Sequence, residues 1–372
     1  MLFRSNVGIN RQTTMDMEVQ GKRGYIKNSD PDDVSLTKRL SVTEAVTPFG
    51  TTHDDPIRSA MAYIQTAKHS MPIEKSAPLL VTNGADEAMP YMASETFAWR
   101  AKEDGVIKEI EADNYMIAEY KSGVSDYISL KEEVKKNSDG GFYITIKLDT
   151  DHKKGQKFKE GDVLAYDRKS FSNKLGEADG LAFNLGVLAK VAILATDEGF
   201  EDSAVISEWL SEAMASSVVT QIPVSISANA NIYQIAKVGQ AIEEGEPLII
   251  MQDSVSEKDA AALLHNITDS DFVSDLGKIK IKSKYTGIVQ DIKMYRTCDV
   301  EEFSSSLGKI VKEYEKGIKN KKKIYKDNNV PGEATIDPDY AMTPTGKLKN
   351  IGDGVLIEFY VKYYDTMGVG VA

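Results

Sequence analysis

Sulfur and imidazole are scarce in this chain. Of its 372 residues one is a cysteine, Cys298, which excludes an internal disulfide and a cysteine-rich metal centre and is compatible with a reducing compartment. The four histidines, His53, His69, His152 and His265, show no paired metal-ligand spacing such as His-x-x-x-His. Long apolar runs are missing: no stretch reaches the roughly 18 residues that a membrane-spanning helix needs. No basic start, apolar middle and small-residue end marks a signal peptide. Positive charge is not in excess either. The formal net charge of −12 argues against a general nucleic-acid coat, although an acidic chain can still carry a local basic groove.

What is present is an ordinary globular balance, 41% hydrophobic and 27% charged, in a chain long enough for two or three domains. Its most informative stretch is Gly199-Phe200-Glu201-Asp202-Ser203-Ala204-Val205-Ile206-Ser207. Upstream, Val187 to Ala195 is apolar apart from Lys190, and Ala204 to Ile206 resumes the apolar run. Such runs predict a strand buried on both faces of a sheet. Two carboxylates where it emerges are costly unless they meet a cation, a metal or water. An isolated Glu-Asp pair is more often a solvated acidic turn than a site, so the rest of the chain has to decide.

Residues 1–47 read as a polar N-terminal segment whose native start is expected upstream of Met1. His53-Asp54-Asp55-Pro56-Ile57-Arg58 follows. Pro56 suits a first helical turn and Asp54 or Asp55 its cap, which predicts a helix over 59–70. Ile57, Met61 and Ile64 form one stripe of that helix, and Arg58, Gln65 and His69 align a guanidinium, an amide and an imidazole on another. Spacing alone also fits a solvated helix face. From 79 to 167 the pattern is short strands and turns. Gly105 to Ile110 and Tyr115 to Ala118 make a hairpin-like unit, and Phe142 to Leu148 alternates as a strand.

Two phrases recur. Gly155-Gln156-Lys157-Phe158-Lys159-Glu160-Gly161-Asp162-Val163-Leu164 has the form of Gly239-Gln240-Ala241-Ile242-Glu243-Glu244-Gly245-Glu246-Pro247-Leu248, and Gly287 to Ile292 echoes Gly105 to Ile110. Paired glycines at tight turns between short β units suggest barrel or hammerhead modules. Similar phrases occur in biotinyl and lipoyl carrier domains, but Tyr166-Asp167-Arg168-Lys169-Ser170 lacks the form of their modified hairpin tip. Residues around Trp209 and Leu210 read as a short helix or a strand exit, and 257–268 as a helix. The clearest helix spans 301–326, with Phe303, Leu307, Ile310, Val311, Tyr314 and Ile318 on one face. Its end is basic, with Lys316, Lys319, Lys321, Lys322, Lys323 and Lys326. Those lysines suit the helix dipole and a solvated tip, with nucleic acid or an acidic partner as the alternative. Val355 to Tyr363 is the final strand.

Three phrases, in this order, resemble the β subunit of multisubunit DNA-directed RNA polymerase. His53-Asp54-Asp55-x-x-Arg58 is similar to the family's phrase leading into a helix near the RNA–DNA hybrid. Gly161-Asp162-Val163-Leu164, followed by Gly199-Phe200-Glu201-Asp202-Ser203-Ala204-Val205-Ile206-Ser207-Glu208, is similar to a second. Phe359-Tyr360-Val361-Lys362 with Gly368-Val369-Gly370 is similar to a third, the strand and turn before the family's Gly-Asp-Lys segment. The resemblance covers roughly residues 45–370.

It implies a fold that is mainly β with some α: a double-psi β-barrel, small β-barrel or hammerhead modules, and a flap-like insertion carrying the 301–326 helix. The implied layout is 48–212 for the hybrid-binding region and barrel, 213–347 for the flap, and 348–372 for a returning, truncated barrel strand. The implied activity is template-directed nucleotidyl transfer, possible only in a complex. Glu201 and Asp202 fall where the family's acidic pair lies near the second magnesium, acting indirectly, while a β′-type partner holds the main Mg2+ ligands. Arg58 falls where an arginine meets the ribonucleoside triphosphate. Gln65, Lys68 and His69 fall along the hybrid of DNA template and RNA. Other polymerase subunits or a transcription factor would meet the flap, in the cytoplasm (of a bacterial host, if the source is a phage) and not at a membrane.

Several family phrases are absent. Ile193 to Glu198 replaces the usual Met-Pro-Trp-x-Gly-Tyr, and the lysines that follow the Gly-Val-Gly turn do not appear. This implies a remote, viral-like polymerase and a fragment or split subunit. The alternative is a non-enzymatic β-barrel interaction or carrier-type module.

Overall fold

A computed structural model of the chain describes residues 40–47, 72–136, 143–174, 180–193, 204–252, 278–332 and 352–366, with a few positions before 40. They belong to two compact units. One comprises Met1–Trp99, Tyr166–Met214 and Gly370–Ala372, the other Arg100–Ala165 and Ala215–Val369. The fold is mainly β and antiparallel, and none of the described sheets closes into a barrel. No helix among the described residues is long and apolar enough to cross a membrane.

In the first unit a three-stranded sheet runs in the order Phe171–Asn173, Leu181–Gly186, Ala77–Pro78. Helix α1 (Val42–Val46) starts with a capping box, in which Ser41 Oγ accepts from Glu44 N and Glu44 Oε2 accepts from Ser41 N. Helix α2 (Ala85–Met92) falls where strands and turns were expected, and buries Met89 and Pro90. Helix α3 (Glu208–Ala213), capped by Ser207, accounts for the Trp209 region.

The second unit is assembled on the strand Gly354–Asp365, buried from Gly354 to Lys362. It pairs with Ser216–Ser227 along its whole length on one edge and with Gly287–Arg296 on the other. Ser216–Ser227 continues the sheet to Tyr143–Asp149, which also carries Glu132–Lys136. Ile226, Leu248, Ile249, Val289, Ile357 and Phe359 form the core with Leu307 and Val311 of helix α4 (Ser305–Asp327). The helix starts at Ser305, later than the expected 301, and of the predicted stripe it buries Leu307 and Val311, with Ile310 and Tyr314 half-buried and Phe303 buried just ahead of its first turn. Ser304 caps it, accepting from Leu307 N and donating to Ala230 O at 2.6 Å.

The recurring phrases fold alike, atom for atom. Gly155 N donates to Ile107 O at 2.7 Å, and Gly239 N to Val289 O at 2.8 Å. Gln156 Oε1 accepts from Lys153 N, as Gln240 Oε1 does from Lys237 N. Asp162 and Glu246 close the next turn by accepting from Lys159 N and Glu243 N. Gly161 N donates to Ala101 O and Gly245 N to Ser283 O, both at 2.9 Å. All four turn glycines have φ between +82° and +85°, the left-handed region that side chains resist. Each module also carries a register shift, at Ile107/Glu109 in one and Val289/Asp291 in the other. The second unit therefore contains a structural duplication, which the sequence phrases mark.

Gly105 and Gly287 occupy equivalent places where two backbones touch. A Cβ would lie 2.3 Å from Glu119 O in the first and 2.2 Å from Lys362 O in the second. Gly317, within α4, faces open space. Gly287→Ala and Gly105→Ala are each expected to destabilise the second unit by about 2 kcal/mol through overpacking. Gly317→Ala is expected to stabilise it by about 1 kcal/mol. Urea unfolding of the three variants checks both signs.

Candidate functional site

The residues that sequence singles out as a site, Arg58, Gln65, Lys68, His69, Glu201 and Asp202, all lie outside the described residues. So do the helices expected at 59–70 and 257–268. The flanks of the acidic pair are partly described, and there the buried-strand expectation is corrected. Residues 187–193 and 204–206 have no regular structure. Val191 is 84% exposed, Ile193 98% and Val205 75%. The apolar run follows Leu181–Gly186, whose far neighbour is the two-residue strand Ala77–Pro78. That edge gives a continuing strand no ladder to join, and Pro78 lacks a donor. Apolar composition without a pairing partner does not make a strand.

The described residues of the second unit do hold one dense polar constellation. It lies on alternate residues of Gly354–Asp365: Glu358, Tyr360 and Lys362. Tyr143 Oη donates to Gln221 Oε1 at 2.9 Å, Gln221 Nε2 to Tyr360 Oη at 3.2 Å, and Tyr360 Oη to Glu358 Oε2 at 2.9 Å. Lys362 Nζ meets Glu132 Oε1 at 2.6 Å, and Gln290 Nε2 donates to Glu132 O. Lys293 Nζ sits 5.3 Å from the Tyr360 ring centre. Burial holds the Tyr360 hydroxyl far above the ordinary phenol range, and Glu358 reinforces it. Burial opposes the Lys362 ammonium, but the hydrogen bond and charge of Glu132 outweigh that, and its net shift is upward.

Beside Lys362 opens a cavity of about 420 Å³, bordered by Ile242, Glu243, Glu246, Thr286, Tyr363 and Tyr364. It marks where the two modules differ. In the first, the Phe158 ring reaches Gly105, and Lys121 pairs with Asp104 at 2.6 Å. Ile242, Tyr364 and Thr286 stand in the equivalent places of the second. Sequence reasoning read Glu358, Tyr360 and Lys362 only as part of the final strand, Val355 to Tyr363. Their period of two was visible, but their burial was not.

This constellation orients and rigidifies. Its groups are engaged with one another: Tyr143 and Tyr360 both donate within the network, and Lys362 is held by Glu132. Among the described residues no three histidine, cysteine, aspartate or glutamate side chains group as metal ligands.

The Lys362 shift fixes a pH dependence. A lysine raised on folding contributes stability fully below its unfolded value, near pH 10, and loses it as pH rises through the folded value. Glu132→Gln leaves the buried ammonium without its counter-charge. The side chain of Glu132 is 26% exposed, which trims the ~3–5 kcal/mol of a fully buried pair to about 2 kcal/mol. Denaturant titrations at neutral pH are expected to show that loss, with partial recovery when Lys362→Met is added. The gap between wild type and Glu132→Gln is expected to narrow only in strong alkali.

A scan against protein-family models returns no match, and no curated protein is significantly similar to the chain.

Proposed function

We propose that the chain is part of a DNA-directed RNA polymerase β subunit and contributes to nucleotidyl transfer with a β′-type partner. The observation that carries this is the ordered series of phrases: His53 to Arg58, Gly161 to Leu164, Gly199 to Glu208, and Phe359 to Gly370. In this reading Arg58 meets the triphosphate. Glu201 and Asp202 act through water or neighbouring groups at the second magnesium, whose chemistry is to neutralise charge on the leaving pyrophosphate. Gln65, Lys68 and His69 line the hybrid of DNA template and RNA. The double-psi β-barrel over 48–212 and the flap over 213–347 belong to the same proposal, as does a cytoplasmic setting.

One structural feature supports it. The exposed apolar residues Leu188, Val191, Ile193 and Val205 flank the acidic pair, and such surface suits a chain completed by a partner.

The duplicated turn module favours a second reading, a non-enzymatic interaction or carrier-type protein. Against the carrier form, Lys169 at the Tyr166–Ser170 turn is tied to Glu74 at 2.8 Å and is not a free tip lysine.

Reconstitution with a separately produced β′-type chain tests the proposal. Labelled ribonucleotide incorporation is expected only in the assembly. Glu201→Ala with Asp202→Ala is expected to reduce it about tenfold, less than the ~10²-fold cost of deleting a direct transition-state donor. Incorporation by this chain alone, or an assembly indifferent to both substitutions and to Arg58→Ala, would overturn it.

A further inference from the structure

We propose that the outward face of helix α4 is a track for the phosphate backbone of double-stranded DNA. Lys309, Lys312, Lys316, Lys319, Lys323 and Lys326 all lie exposed on this helix. Their intervals of three and four residues keep them within about 100° of arc, over about 25 Å of helix. None of the six forms an ion pair with another described residue, although the chain as a whole carries −12.

Three ordinary explanations for exposed lysine fall short. The helix dipole favours cations in the last turn only, which accounts for Lys326 and not for the other five. Opposite charges four residues apart, the usual solubility device, accompany Lys309 (Glu313), Lys319 (Glu315) and Lys323 (Asp327) but leave Lys312, Lys316 and Lys326 unaccounted for, and like charges such as Lys312 and Lys316 cost a few tenths of a kcal/mol. A membrane-surface helix sets apolar residues beside its cations. Here Leu307 and Val311 are already buried in the protein core.

The helix that carries the face is anchored at both ends and at its middle. Ser304 ties the N-terminus to Ala230 O, and Arg296 Nε holds Glu315 at 2.9 Å midway. Asn329 Nδ2, just past the C-terminus, donates to Gly123 O at 2.7 Å. Tyr325 packs on Tyr127 at 4.9 Å between ring centres.

The chemistry selects the partner. Protein interfaces centre on apolar and aromatic residues and are depleted of lysine, and the stripe contains no apolar side chain. Lysine is a point charge without arginine's fork, so it suits phosphate oxygens and does not read base edges. Duplex DNA presents about one charge per 1.7 Å of axis, more than enough to occupy all six. Binding is therefore non-sequence-specific. It requires only the helix in its place and stands apart from the polymerase reading.

The test uses the full chain and a fluorescein-labelled 30-base-pair duplex, with anisotropy followed between 50 and 200 mM NaCl. The expected slope of log affinity against log salt is about −0.9 per phosphate engaged, near −5 for the full stripe. Lys312→Gln, Lys319→Gln and Lys323→Gln together are expected to flatten it by about 2 to 3, with helicity unchanged by circular dichroism. Arginine at the same three positions is expected to retain it. Glutamine at Lys278, Lys280 and Lys282, on another sheet, is expected to leave it unaltered. An unchanged slope in the α4 triple variant overturns the proposal. Displacement of the duplex by polyglutamate at equal charge assigns the face to an acidic protein, and lysine-dependent binding to phosphatidylglycerol vesicles without duplex binding assigns it to a membrane. Either result also overturns the proposal, and none bears on the incorporation test.

Discussion

A strand buried over nine consecutive residues has to satisfy its backbone on both edges, and Gly354–Asp365 imposes that demand on everything around it. Water is not available to its N–H and C=O groups. Its partners come from far away in sequence, Ser216–Ser227 on one edge and Gly287–Arg296 on the other. The demand explains Gly287 and Gly354, where a side chain would strike a carbonyl of the adjacent strand. It explains the pairing of Glu132 with Lys362 as well, because a charge on such a strand cannot remain without a counter-charge. Helix α4 then covers one face of the sheet and exposes its cationic side.

The duplicated turn module shows how one backbone solution tolerates different side-chain chemistry. Glycines, the amide of Gln156 or Gln240 and the carboxylate of Asp162 or Glu246 hold the turns, and these are common to both copies. The groups between them are free to diverge. A phenyl ring and an ion pair fill the first copy, while the second has an aliphatic side chain, two tyrosines and an opening. The Tyr285 and Tyr363 rings stack there at 4.1 Å, and Tyr363 stands in the place of Tyr120, which meets Phe158 edge-on in the other copy.

Local signals were legible in the sequence and pairing was not. The 3.6-residue stripe of α4, the hairpin around Asp113 and the repeated glycine phrases each report a property of a few neighbouring residues. Helix α2 escaped because its eight residues include Pro90 and carry a weak apolar stripe. The run from Val187 was misread because apolar continuity describes composition, whereas a buried strand also needs a neighbour with unpaired groups. Glu132 and Lys362 are 230 positions apart, and nothing local links them. The candidate catalytic residues were legible only as motif words, since Arg58, Glu201 and Asp202 lie outside the described residues.

The late position of Gly354–Asp365 also sets an order of events during synthesis. Ser216–Ser227 leaves the ribosome well over a hundred residues before the strand that completes it. At roughly 5–20 residues per second, its edge waits about six to thirty seconds without its native neighbour. Long unpaired edges of this kind are templates for pairing with another chain. The chain is therefore most exposed to aggregation as a nascent polypeptide, and slow translation of its last third prolongs that risk.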